Sequence, residues 1–339
     1  MGLLGGASMG FLIAGAASPA RPRWPPLSWR REAVRSAGLQ AAASVGAPPR
    51  RRRPSASGSV PSVPRGRPQG FKKLGPGKAA RREFLLRRLQ DKRTRKAELI
   101  EVVAELRASK LLVSPQDYTT LVAALGSRGF MKRALNVLED MRASGFPPNV
   151  ITYGAAISAC EKGRRWEQAL ELMRDMEHER VKANVITYNA AISACEKSGN
   201  WEGALALFAA LRSNRLIPTE VTYGAVLNAC RRGRLWELAL VLKDDMKARD
   251  LRGNLITWGA VIGACYRSEE PAVALQVFGE MKTTGLHPDA LMYDVVLRAC
   301  QQGGRWKRAL FLLKRMHEDG IEPNAEAYTS TMGACLEGQ

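Results

Sequence analysis

From residue 115 onward the apolar residues recur in steps of three and one. In 150–184 a first set, Tyr153, Ala156, Ile157 and Cys160, forms one stripe of a helix. Gly163-Arg164-Arg165 then predicts a turn. A second set, Trp166, Ala169, Leu170, Met173 and Met176, marks one face of a second helix. Gly145, Gly285 and Gly320 stand where a helix end favours a left-handed residue, each with a Pro three positions on. No segment alternates with period two for long enough to predict a strand.

The same pattern returns every 35 residues. Cysteines fall at 160, 195, 230, 265, 300 and 335. Aromatics fall at Tyr118, Tyr153, Tyr188, Tyr223, Trp258, Tyr293 and Tyr328, and tryptophans at 166, 201, 236 and 306, with Pro271 breaking that series. The spacing divides the chain into six full units, 115–149, 150–184, 185–219, 220–254, 255–289 and 290–324, and a partial unit, 325–339. Residues 80–114 read as a degenerate preceding unit or a capping helix around Lys96–Ser109. The expected fold is all-α, a solenoid of helical hairpins. The partial unit leaves Tyr328 and Met332 without a covering helix, so either a longer sequence or another molecule is expected to cover them.

Cysteines on successive first helices, about 8–10 Å apart, stand beyond the reach of about 7 Å that a disulfide allows between Cα atoms. They read as small, reduced packing residues.

Charge separates the chain into two parts. Of a net +20, residues 1–82 hold sixteen Lys and Arg against one acid, Glu32, whereas 115–339 are nearly neutral. Residues 1–79 are rich in Arg, Ser, Ala and Pro, include Arg50-Arg51-Arg52-Arg53, and cannot bury enough apolar surface to order themselves. They read as a disordered targeting leader, with plastid ahead of mitochondrion, the short apolar stretch Met9–Ala17 standing as a candidate secretory segment in a two-part signal. The alternative is a basic tail that holds nucleic acid without selectivity.

Several function classes fall away. No apolar run reaches the roughly 18 residues of a membrane span. Three histidines, His178, His287 and His317, and cysteines without close pairing give no metal-site spacing. There is no phosphate-binding glycine loop, nucleophile elbow or deaminase zinc signature. No catalysis, cofactor or small-molecule substrate is expected.

The strings Val185-Ile186-Thr187-Tyr188-Asn189, Cys195-Glu196-Lys197-Ser198-Gly199 and Ala204-Leu205 resemble pentatricopeptide repeats of the 35-residue type. The resemblance covers 115–339. Tetratricopeptide repeats are also hairpins, but their period is 34. It implies a right-handed superhelix that binds single-stranded RNA in an organelle, one base per unit. RNA stability, processing or translation would be its business, alongside other organellar RNA-processing proteins. A helical scaffold for protein partners is the alternative, because fold alone does not decide function.

The family reads bases with the fifth and last residues of each unit. Here those pairs are Thr119 with Asn149, Gly154 with Asn184, Asn189 with Thr219, Gly224 with Asn254, Gly259 with Asp289, and Asp294 with Asn324. An amide both donates and accepts, and a carboxylate only accepts, so such pairs can tell base edges apart. The family's code assigns adenine to Thr119/Asn149, a weak pyrimidine preference to Asn189/Thr219, and guanine to Gly259/Asp289. Three units carry Gly at the fifth position and so depart from the strongest form of that code. The second residue, Ile151, Ile186, Val221, Ile256 or Leu291, clamps the base by resemblance, or else fills the hairpin core. Lys162, Lys197, Arg232 and Arg267, at position thirteen, contact phosphate by resemblance, or else are solvated charges beside Glu161 and Glu196.

Overall fold

The computed structural model describes residues 75–91, 93–109 and 111–338. The described residues form fifteen helices and no strand: α1 (Pro76–Gln90), α2 (Lys96–Ala108), α3 (Pro115–Ser127), α4 (Met131–Ala143), α5 (Val150–Lys162), α6 (Trp166–His178), α7 (Val185–Ser198), α8 (Trp201–Ser213), α9 (Glu220–Gly233), α10 (Trp236–Ala248), α11 (Leu255–Arg267), α12 (Pro271–Thr283), α13 (Ala290–Gln302), α14 (Trp306–Glu318) and α15 (Ala325–Glu337). Odd-numbered helices from α3 are the first helices of their hairpins, and even-numbered ones the second.

Each first helix is started by the residue just before it. Ser114, Asn149, Asn184, Thr219, Asn254, Asp289 and Asn324 are N-caps, and the side-chain oxygen of each accepts a first-turn backbone N–H. Helix ends close in a recurring pair of bonds. After α5 the Arg165 N–H donates to the Cys160 carbonyl at 3.0 Å and the Arg164 N–H to that of Glu161 at 3.2 Å. After α6 Val181 and Arg180 do the same to Met176 and Glu177. This double closure needs a left-handed residue between helix and exit. The expected Gly145, Gly285 and Gly320 fill it with φ of 79°, 81° and 76°. In the three units between, Arg180, Arg215 and Asp250 take the same conformation.

First helices stack on the first helices of neighbouring units, while second helices pack on first helices and reach one another through side-chain ion pairs such as Arg142 with Asp175 and Arg212 with Asp245. The stripe Tyr153, Ala156, Ile157 and Cys160 is fully buried, as are its equivalents in the other full units, apart from slight exposure of Tyr118, Tyr188 and Trp258. On α6 the core takes Ala169, Leu172 and Met176, while Trp166, Leu170 and Met173 are half-buried at its edge. The ring hydroxyls find partners: Tyr223 donates to Asp245 and Tyr293 to Asp319, both at 2.6 Å. The cysteines are unbridged. Burial pushes the thiols of Cys160, Cys265 and Cys300 up to about 11, and those of Cys195 and Cys230 up to about 12.

One boundary differs from the sequence reading. The leader was set to end at 79, but α1 begins at Pro76, where proline's fixed φ and missing N–H suit a helix start. Residues 80–114 hold the rest of α1 and all of α2, the two helices of a degenerate preceding unit rather than a single capping helix. Leu85 and Leu89 of α1 and Leu99, Val102, Val103 and Leu106 of α2 are buried, and Arg82 forms a two-pronged ion pair with Asp117 of α3, the shorter contact 2.6 Å. The targeting features of residues 1–74 lie outside the described residues.

Candidate functional site

The second-position residues settle one of the open choices. Ile151, Ile186, Val221, Ile256 and Leu291 are 64–73% exposed, so they do not fill the hairpin core. They lie in the first turns of α5, α7, α9, α11 and α13, which stack directly on one another. The result is a ladder of bare aliphatic side chains, one rung per unit.

Beside each rung stands an N-cap. Asn149, Asn184, Thr219, Asn254, Asp289 and Asn324 are exposed even as they cap. Capping divides their chemistry. The Oδ1 of Asn149 accepts from the backbone N–H groups of Ile151 and Thr152 and from the Thr152 hydroxyl. Asn184 and Asn254 use Oδ1 on the N–H of Thr187 and Thr257. In all three the Nδ2 group remains as the donor. Asp289 spends Oδ1 on the Met292 N–H, and its second oxygen remains as an acceptor. An Asn and an Asp at this place therefore present opposite polarity to a ligand.

The fifth-position residues lie under the third residue of the next unit. Thr119 Oγ1 is 2.8 Å from Thr152 Oγ1. Asn189 contacts Thr219 and Thr222 together. A Cβ on Gly154 or Gly224 would make ordinary contact with the methyl of Thr187 or Thr257, and one on Gly259 with the Met292 methyl. The glycines thus close the stack without offering a polar group. Asp294 is buried: Oδ2 accepts from Asn324 Nδ2 at 3.0 Å and Oδ1 has no hydrogen-bond partner. The fifth-position set therefore holds one half-buried amide, one hydroxyl, one enclosed carboxylate and three bare backbones.

Position thirteen is more neutral than its cations imply. Lys197 pairs with Glu161 and Arg232 with Glu196, acids of the preceding unit. Lys162 donates to the Ser127 carbonyl at 2.9 Å. Arg267 is exposed and has no ion-pair partner among the described residues. The row thus holds two cations paired with acids, one on a backbone carbonyl and one without an ion-pair partner among the described residues.

Sequence reasoning passed over the buried third-position threonines, Thr152, Thr187, Thr222 and Thr257. Their signal was the repeated Thr before each aromatic. What a sequence does not show is that they touch the fifth residue of the unit before. Among the described residues no helix is long and apolar enough to cross a membrane, and no group of three His, Cys, Asp or Glu is placed to hold a metal.

Comparison with known proteins agrees with this architecture. The family model described as pentatricopeptide repeat domain matches residues 171–232, 241–305 and 283–337. That described as PPR repeat family matches 118–162, and that described as PPR repeat matches 151–181 and 221–251. No curated protein sequence matches the chain. Among solved structures, the pentatricopeptide repeat protein PPR10 from maize is 23% identical over 75% of this chain and 41% of its own, with a TM-score of 0.49. The same protein in complex with an 18-nt psaJ RNA element aligns over 74% and 40% with a TM-score of 0.38. Nuclear proteinaceous RNase P 2 from A. thaliana is 13% identical over 55% of this chain and 41% of its own, with a TM-score of 0.51. The chain thus spans about two fifths of the length of each of these proteins, and at such identities the likeness is one of fold. Family models that run without a gap from 118 to 337, over the hairpins described above, establish that the chain belongs to the pentatricopeptide repeat family.

Proposed function

We propose that this protein binds single-stranded RNA selectively, one base per unit, and acts in an organelle to support RNA processing, stability or translation. The observation that carries the reading is the ladder of exposed Ile151, Ile186, Val221, Ile256 and Leu291, every rung but Val221 flanked by an exposed capping Asn or Asp with a free donor or acceptor. An aliphatic side chain packs on the face of any base, while a polar group beside it meets the base edge. Binding would hold RNA in extended form and exclude nucleases or competing structure, with no chemistry by the protein. The Arg-rich, acid-poor leader supports organellar import, plastid first and mitochondrion second.

The test is selection of the full-length chain against a randomised single-stranded RNA pool near physiological salt, with unlabelled polyanion present to occupy the leader. Enrichment of a motif about six bases long, altered at one base by Asn189→Asp, supports the reading. A folded, helical chain that enriches no motif overturns it in favour of a protein-binding scaffold.

A further inference from the structure

Asn189 sits in a ring of hydrogen bonds shared with the next unit. Thr222 Oγ1 donates to Asn189 Oδ1 at 2.6 Å, and Asn189 Nδ2 donates to Thr219 Oγ1 at 3.2 Å. The two lengths fix which end of the amide is which. A separation of 2.6 Å belongs to O–H···O and is short for N–H···O, whereas 3.2 Å is the long end of N–H···O. Thr222 is itself held in place: it is buried, and its Oγ1 accepts the Thr219 N–H at 2.9 Å. Turning the amide over would reverse the ring, with Thr222 donating to Thr219 Oγ1 at 3.1 Å, but would press an N–H against Thr222 at the 2.6 Å that suits O–H···O. One N–H and one carbonyl lone pair of Asn189 stay free, in a fixed order along its edge.

That order distinguishes two classes of base. Adenine and cytosine carry an exocyclic amino donor beside a ring-nitrogen acceptor. Guanine and uracil carry an exocyclic carbonyl beside a ring N–H. An amide free to turn over suits both classes, and an amide held one way suits one. We infer that Thr222 is a positioning residue that sets the polarity of Asn189 from the adjacent unit, so that this unit separates amino bases from keto bases. The inference rests on the RNA-binding reading above. The arrangement is particular to this unit among the six. Gly154 and Gly224 offer nothing polar to Thr187 and Thr257, and Ala327 brings no hydroxyl to Asp294. Thr119 faces Thr152 hydroxyl to hydroxyl, with no amide to orient.

The experiment measures binding of the full-length chain, Thr222→Val and Thr222→Ser to RNAs carrying each of the four bases at each position of the selected motif. The nucleotide facing Asn189 is the one whose preference Asn189→Asp changes. The unsubstituted chain is expected to separate cytosine from uracil there by about tenfold. Thr222→Val is expected to bring that ratio within about twofold while leaving the ratios at other nucleotides unchanged, and Thr222→Ser to keep it. Thr222→Val also loses the bond from the Thr219 N–H, but any loss of folded protein scales all affinities together and leaves ratios alone. A ratio that Thr222→Val leaves intact, or one near unity in the unsubstituted chain, overturns the inference while the RNA reading stands. An unsubstituted chain that binds none of the RNAs overturns both.

Discussion

Lys197 Nζ lies 2.7 Å from Glu161 Oε1, a carboxylate one unit back along the solenoid. Arg232 repeats the contact with Glu196 at 3.1 Å. Such partly exposed pairs contribute only about 0–1 kcal/mol, so a phosphate can compete for the cation at little cost. On the RNA-binding proposal, the acids restrain affinity more than they stabilise the fold. Glu161→Gln combined with Glu196→Gln should raise affinity several-fold at about 0.15 M salt. It should also steepen the dependence of log K on log salt by up to about 1.4, from roughly 0.7 per added phosphate contact. The leader contributes equally to both proteins, so the difference isolates the stripe. Fluorescence anisotropy over a salt series is the measurement, and identical curves would remove position thirteen from the interface.

Two isoleucines on equivalent helices are predicted to behave in opposite ways. Ile157 is fully buried on α5, and Ile186 is 70% exposed on α7. Ile157→Ala should cost about 2–5 kcal/mol in urea unfolding, from lost burial and the cavity left behind. Ile186→Ala should change stability by less than about 0.5 kcal/mol, yet weaken RNA binding by about fivefold or more if the ladder packs on bases. Equal RNA affinity for Ile186→Ala and the unsubstituted chain would make the ladder an ordinary surface.

The hairpins were legible because each unit restates the same local demands: a capping residue, an aromatic at position four, a Cys at position eleven in all but the first unit, and a turn after it. Periodicity alone could not decide whether Ile151 and its equivalents lie inside or outside. They are apolar like the core stripe, but sit two residues before the aromatic, and only the stacking of the next first helix shows that this side stays open. Contacts between units were equally hidden. Glu161 to Lys197, Thr222 to Asn189 and Arg82 to Asp117 join residues 33–36 apart that no local pattern links. The start of α1 was missed because its Arg-rich sequence continues the composition of the leader, while its anchor, Asp117, lies in α3.

The left-handed sites give a route to a more stable solenoid. Arg215 and Glu269 hold φ of 57° and 62°, where an L side chain pays about 1–2 kcal/mol. The glycines at matching places in other units, Gly145 and Gly199, have nothing near where a Cβ would be. Arg215→Gly and Glu269→Gly should each gain about 0.5–1 kcal/mol after the added freedom of glycine in the unfolded chain is set against the relief. Thermal unfolding of the single and double variants checks this, and a lower melting temperature in both would refute the strain argument.

The buried thiols predict a pH dependence with a definite sign. Desolvation holds the proton on Cys160, Cys265 and Cys300 to about 11, and on Cys195 and Cys230 to about 12. In the unfolded chain they lose it nearer about 8.5. Between those values the unfolded state binds fewer protons, so stability is full below about pH 8 and falls as pH rises. Urea midpoints at neutral and alkaline pH should show the fall, and Cys230→Ala should make it shallower. At neutral pH a maleimide should label half-buried Cys335 first and the other five only on unfolding. Prompt labelling of all six in the folded protein would contradict the core placement.

Asp294 and Ala327 offer the sharpest test of how one unit completes the next. Asp294 Oδ1 is buried without a hydrogen-bond partner, while Oδ2 is satisfied by Asn324. In the unit built on Asn189 the matching oxygen receives the Thr222 hydroxyl, but the residue that corresponds to Thr222 is here Ala327. An unpaired buried acceptor costs about 1–3 kcal/mol. Ala327→Ser supplies a hydroxyl at that place, and Ser is preferred to Thr because Ala327 is fully buried and an extra methyl risks overpacking. The variant should gain about 1 kcal/mol, seen as a higher urea midpoint at unchanged slope. The gain must depend on the carboxylate, so Ala327→Ser made together with Asp294→Ala should add nothing over Asp294→Ala alone. A gain of equal size in both backgrounds would show that the hydroxyl acts on the helix and not on Asp294.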